Sequence, residues 1–277
     1  MKTAKKHLGQ HFLRDARILD RLIQRIGAAA TDTFLEVGAG RGALSERLAP
    51  GVERLIAVEL DPVCIPALQN SLSEFPSATI VPGDILDLDI PALVAPYLKA
   101  GQPLRVAGNL PYNIATPIIE RFLGLELFIR DLTVMVQLEV AQRIVARPGS
   151  RQYGYFSVYC QHLAQTRLEF QVAPGCFSPR PQVISAVVTL RPHPQPRVLS
   201  LTRSLVPVAK AAFGHRRKTL ANSLRHDPQV GLVSDALLAQ AGIDPGRRAE
   251  DLSVQEFERL AYFYAARSTP GRDPGVS

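Results

Sequence analysis

Apolar positions at Phe12, Leu13, Ile18, Leu19, Leu22, Ile23 and Ile26 recur at helical spacing and stop at Gly27, which predicts a helix over residues 11–27. The period then changes. Thr33–Val37, Arg54–Val58, Thr79–Val81, Leu104–Ala107 and Leu132–Val136 are short apolar runs of strand length, and a helix is expected from Ala43 to Leu48, closed by Pro50-Gly51. Strands alternating with helical stretches predict βαβ units, hence an α/β fold with a parallel sheet and helices on both faces. A further strand is expected over Ser185–Leu190, before a proline-rich linker at residues 191–196. Beyond it only helical periods remain, over Leu205–Phe213, Lys218–Leu224, Ser234–Ala241 and Ser253–Ala265. The predicted organisation is a first domain over residues 1–192, a small all-helical domain over 197–267, and a polar, Gly- and Pro-rich tail over 268–277 that is expected to be disordered.

Composition narrows the class. An apolar content of 46% over 277 residues suffices for a core, and no apolar stretch is long enough to span a membrane. The N-terminus is basic but lacks the apolar segment of a secretory signal. Cys64, Cys160 and Cys176 are scattered, with neither a disulfide nor a metal-ligand spacing, so they are expected to be core residues in a reducing cytoplasm, with no metal bound.

Charge is uneven. The net charge is +7, and residues 170–226 hold no Asp or Glu but nine Lys or Arg: Arg180, Arg191, Arg197, Arg203, Lys210, Arg216, Arg217, Lys218 and Arg225. So one-sided a block suits a polyphosphate partner, although a solvated basic face has the same composition.

Two sites carry chemistry. Glu36-x-Gly38-x-Gly40-x-Gly42 lies between a strand and a helix, where glycines let a backbone approach a ligand and a helix N-terminus offers free N–H groups. Its last spacing is one residue shorter than the dinucleotide pattern, which favours S-adenosylmethionine over NAD. Glu59, at the end of the second strand, is placed to accept ribose hydroxyls, and Asp84, near the end of the third, to accept from an adenine amine; each is also an ordinary loop acid by itself.

Asn109-Leu110-Pro111-Tyr112 follows the fourth strand. The Asn109 side-chain oxygen and the Leu110 carbonyl offer two acceptors for the N–H groups of an exocyclic amine, and Tyr112 a face for stacking. No strong base is needed beside an activated methyl donor. Phe177, in Phe-Ser-Pro-Arg-Pro-Gln-Val, is the candidate for the opposite face of the base, although a core phenylalanine beside a rigid turn is the plainer reading of that segment.

These motifs resemble the KsgA/Dim1 family of ribosomal RNA adenine N6,N6-dimethyltransferases. The resemblance spans nearly the whole chain and includes Leu8–Leu13, Gln137–Val140, Tyr153-Gly154 and Ala212–Leu220. It implies a Rossmann-like class I S-adenosylmethionine methyltransferase domain with a small C-terminal helical domain. It further implies that His11, Leu13, Gly38, Gly40, Glu59, Asp84 and Asn109 hold the cofactor. Leu110, Tyr112 and Phe177, with Asn109, would form the acceptor side, and Arg216, Arg217 and Lys218 would grip RNA.

The family's substrates are two adjacent adenosines in the 3′-terminal hairpin loop of small-subunit ribosomal RNA. The implied partner is the small ribosomal subunit, met by a monomer. Ile184 and Leu138 depart from the family pattern, where Asp and Lys are frequent. Two alternatives stay open: a large-subunit methyltransferase of the macrolide-resistance type, and a non-catalytic RNA-binding or assembly factor on the same fold.

Overall fold

Phe12 and Leu13 do not open a helix. In the computed structural model, which describes residues 10–125, 129–193, 197–215 and 217–268, they form strand β1 (Phe12–Leu13). It pairs antiparallel with β8 (Phe177–Ser178), setting Phe12 opposite Ser178 and Leu13 opposite Phe177. Helix α1 (Ala16–Ile26) starts later because the Asp15 carboxylate accepts from the N–H groups of Arg17 and Ile18 and so caps it. It stops at Gly27, whose φ of 57° suits glycine.

The chain divides into two compact units. The first comprises the described residues up to Gln142 together with Gln165–Pro192. Its sheet runs β4 (Ala78–Pro82), β3 (Arg54–Glu59), β2 (Thr33–Val37), β5 (Leu104–Asn109), β6 (Ile129–Gln137), β9 (Ser185–Pro192) and β7, an edge strand over Ala164–Val172. The first five of these are parallel, as the alternating pattern predicts. β9 is the exception: it lies antiparallel to β6, so the sheet is mixed. Parallel pairing brings the C-terminal ends of β2, β3, β4 and β5 to one edge, where ligands of open α/β sheets bind.

The opposite edge is locked by Arg105, 3% exposed, which donates to both Asp131 oxygens, to Asp32, and to the carbonyls of Ile26 and Gly27. A buried guanidinium needs that full complement of acceptors, and here it ties the end of α1 to the sheet. Within the sheet, Gly108 leaves no room for a side chain: a Cβ there would sit 2.4 Å from the Val37 carbonyl oxygen.

The second unit comprises Arg143–Ala164 and the described residues from His193 onward. The expected first domain over residues 1–192 is therefore interrupted. The segment carrying α7 (Tyr155–Leu163) groups with the C-terminal helices because Tyr153 and Val158 are buried in their core, with the Tyr153 ring edge-on to Phe213. These helices are α8 (Arg197–Phe213), α9 (Leu220–Arg225), α10 (Ser234–Ala241) and α11 (Val254–Ser268). Helix α9 begins two residues later than the period predicts, since the Thr219 hydroxyl accepts from the Asn222 N–H as its cap. Residues 194–196 of the expected linker, and the expected tail beyond Ser268, lie outside the described residues.

Candidate active site

The strand ends and the glycine loop enclose one cleft in the first unit. Gly38 (φ 68°) and Gly40 (φ 60°) bend the chain directly after β2, and the N–H groups of Gly38 and Ala39 both donate to the Val58 carbonyl. A Cβ on Gly40 would press to 3.2 Å from the Phe12 ring. Phe12 thus caps the loop, with the Arg41 guanidinium 5.0 Å from its ring centre. Of the candidate site residues, His11, Leu13, Gly38, Gly40, Glu59, Asn109, Leu110 and Tyr112 all line this cleft.

Glu59 is held in place from two sides. Its Oε2 accepts from the Gly40 N–H and its Oε1 from the Asp61 N–H, each at 2.7 Å. Burial raises the carboxyl pKa above its ordinary value, against hydrogen bonds from the Asp61, Gly40 and Leu60 N–H groups. Glu36 forms the floor, 2% exposed, with its Oε2 buried and without a hydrogen-bond partner. Burial, reinforced by repulsion from Glu59 and opposed by Ser45, pushes its pKa up to about 8. Leu60 and Ile85 give the wall apolar surface for a flat ring.

Asn109 ends β5 and its side chain is oriented by a contact across the chain. Nδ2 donates to the His11 main-chain oxygen at 2.8 Å, while Oδ1 is buried with no partner. The Leu110 N–H donates to the Met135 carbonyl, which anchors the turn to β6. The Tyr112 hydroxyl shares a 2.5 Å hydrogen bond with Ser185, and its ring lies 5.3 Å from that of His11. Burial holds its phenol above the ordinary pKa. The His11 ring also contacts the Pro179 carbonyl through Nδ1 at 2.8 Å.

Four described candidates stand elsewhere. Asp84 is half-buried and its Oδ1 accepts from the Leu86 N–H; its neighbours Gly83 and Ile85 line the cleft and it does not. Phe177 is also absent from the lining. At 5% exposure it packs with Leu13 and Phe170 in the core, because pairing of β8 with β1 turns its ring inward. Arg217 and Lys218 are exposed in the second unit, and Arg216 lies outside the described residues.

Sequence reasoning missed Gln10, Phe12, Leu60, Ile85 and Ser185. Phe12 was hidden by a helical period that ran on past the cap at Asp15. Ser185 becomes a partner of Tyr112 only through strand pairing, which no local pattern encodes.

A model of the ribosomal RNA adenine dimethylase family matches residues 1–266. Among curated relatives, the ribosomal RNA small subunit methyltransferase A of Geobacter metallireducens is 45% identical over 266 residues, spanning 93% of this chain and 94% of its own length. That of Shouchella clausii is 39% identical over 264 residues, with 94% and 89% covered. Among solved structures, a dimethyladenosine transferase from Plasmodium falciparum shares the fold at a TM-score of 0.76 and 19% identity, over 93% of this chain and 98% of that one. The 23S rRNA methyltransferase ErmE aligns at a TM-score of 0.67 and 25% identity, over 92% and 99%.

Proposed function

The chain belongs to the ribosomal RNA adenine dimethylase family, and from that premise we propose that it dimethylates the N6 amines of two adjacent adenosines in the 3′-terminal hairpin loop of small-subunit ribosomal RNA. Its methyl donor is S-adenosylmethionine, which when bound supplies a methyl group activated on a sulfonium. The residues present fit that donor. Glu59 offers two fixed acceptors for the ribose hydroxyls, Leu60 and Ile85 an apolar wall for adenine, and Glu36 a buried polar floor whose Oε2 has no hydrogen-bond partner. Leu13 and His11 roof the cleft, and Asp84 is assigned to the adenine amine from its place beside Gly83 and Ile85.

One observation carries the acceptor assignment: the buried, unpartnered Oδ1 of Asn109, a residue that lines the donor cleft. Together with the Leu110 carbonyl it accepts from the two N–H groups of N6. That pair favours a pyramidal nitrogen whose lone pair has left the ring, a preference greater in the transition state than in the ground state. Tyr112 stacks on the base, which must leave its helix or come from a loop to reach the site. Phe177 takes the second face only if the β8 turn swings outward. Arg216, Arg217 and Lys218 are assigned to the RNA grip; the enzyme acts as a cytoplasmic monomer.

Identities of 39% and 45% to small-subunit enzymes, against 25% to ErmE, favour the small subunit. Methyl transfer from labelled S-adenosylmethionine to undermethylated small subunits, with large subunits as control, tests the reading. Label in the large subunit alone would overturn it.

A further inference from the structure

We propose that the face built by α1 and the edge strand β7 is a second contact surface for the phosphate backbone of the RNA substrate. It lies on the methyltransferase unit itself, and the proposal rests on the RNA substrate named above. Arg17, Arg21 and Arg25 are exposed and lie four residues apart, which stacks them on one side of α1 about 6 Å apart along the axis. Successive phosphates along one nucleic-acid strand have a comparable spacing.

Contacts extend this stripe into a continuous face. The Arg21 guanidinium lies 4.0 Å from the Phe170 ring centre on β7. Arg25 and Arg167 converge on the same Glu169 carboxylate, at 3.9 and 3.4 Å. At the C-terminal end of α1, Arg25, Arg130 and Arg191 line a cleft together with the Arg105–Asp131 pair.

Charge on this face is sorted by depth. Six arginines (17, 21, 25, 130, 167 and 191) are exposed, whereas the carboxylates touching them, Glu169 and Asp32, show only 8% of their side chains to water. The exposed acid on α1, Asp20, pairs with Arg47. Buried acids hold the arginines in position without presenting a negative surface to a phosphate. Arginine suits this task because its guanidinium bonds two phosphate oxygens while its stem or plane packs on a ring.

The position of the stripe indicates which RNA it meets. Just before the first turn of α1, the N–H groups of Arg14 and Asp15 donate to the Cys176 carbonyl, immediately before β8 and close to the roof of the catalytic cleft. The stripe therefore begins beside the acceptor site and runs away from it along the unit. A strand whose base is inserted at Asn109 has its flanking phosphates within reach of this face.

The test uses the full-length enzyme with Arg17, Arg21 and Arg25 changed together to Gln, and separately to Lys. Binding to a transcript of the 3′-terminal hairpin is measured across salt concentrations. Each lost contact removes about 0.7–0.9 from the log–log salt slope, so the Gln triple is expected to lower it by about 2–3. The KM for small subunits should rise at least tenfold, with kcat and S-adenosylmethionine affinity unchanged, and the Lys triple should restore the salt slope, which counts charges, and part of the loss in KM. A second variant, Arg167→Gln with Arg191→Gln, changes exposed strand residues and should shift both readouts in the same direction. Wild-type slope and KM in both Gln variants would overturn the proposal, as would a Lys triple that fails like the Gln triple. Failure of the wild-type enzyme to methylate small subunits would instead remove the proposed substrate, and the salt slopes on the transcript would still decide the face.

Discussion

The Nδ2 of Asn109 donates to the main-chain oxygen of His11 at 2.8 Å, so a residue 98 positions away decides which way the Asn109 amide faces. A carbonyl oxygen only accepts, so the amide must turn its NH2 toward His11, which leaves Oδ1 buried and without a partner. Asn109→Ala removes that oxygen and should lower kcat by at least about 10²–10³-fold, the usual cost of one preorganised electrostatic group. RNA affinity should be largely kept. Asn109→Asp keeps an oxygen but sets a carboxylate against the His11 carbonyl, so it should not rescue turnover. Single-turnover rates on small subunits measure both, and wild-type rates in Asn109→Ala would sink the acceptor assignment.

Tyr112 separates stacking from hydrogen bonding. Tyr112→Phe loses the bond to Ser185 but keeps the ring, and should stay within a few-fold of wild type. Tyr112→Ala loses a base-stacking face worth about 1–3 kcal/mol, roughly 5- to 150-fold in kcat/KM. Equal activity in the two variants would show that no base stacks there.

Of the described glycines, Gly108 leaves the least room for a side chain. A methyl group there would meet the Val37 carbonyl at 2.4 Å, and backbone atoms in two paired strands cannot withdraw cheaply. Gly108→Ala should therefore cost about 1–3 kcal/mol as overpacking, read as a lower midpoint in denaturant. An unchanged midpoint would mean that the strands separate at no cost.

Removing Arg105 should do more damage than removing any exposed arginine. Arg105→Met leaves Asp32 and Asp131 buried without their partner, a loss of about 3–5 kcal/mol. Chemical denaturation would report it, and a shift below 1 kcal/mol would contradict the buried network.

Glu36 sets a pH dependence. In the folded state its pKa is about 8, against 4.5 ordinarily, so between those values the folded protein holds a proton that the unfolded chain has released. Stability of the ligand-free enzyme should then fall as pH rises from about 5 to 8, and level off above. Glu36→Gln should flatten that decline, with Glu59 leaving a residual slope of the same sign. Thermal midpoints at several pH values decide it; parallel profiles would refute the raised pKa.

The parallel strands and the glycine loop were legible because each is a local pattern: a short apolar run, then residues that suit a turn. Asn109, Leu110 and Tyr112 were legible for the same reason, being adjacent to one another. Phe177 was not. Its motif looks like a stiff loop beside a base, yet pairing with β1 buries the ring, and that pairing joins residues some 165 positions apart. The interruption of the first unit by Arg143–Ala164 was equally hidden, since Tyr153 and Val158 are apolar in any core and only packing shows which core they enter.

The β1–β8 pair contains two residues per strand and stands apart from the seven-stranded sheet. So small a pair has little hydrogen-bonded cooperativity of its own, and the buried side chains of Leu13 and Phe177 hold it in place. Parting β1 from β8 would break only the few backbone hydrogen bonds of that pair, and none of those that join the strands carrying Glu59 and Asn109.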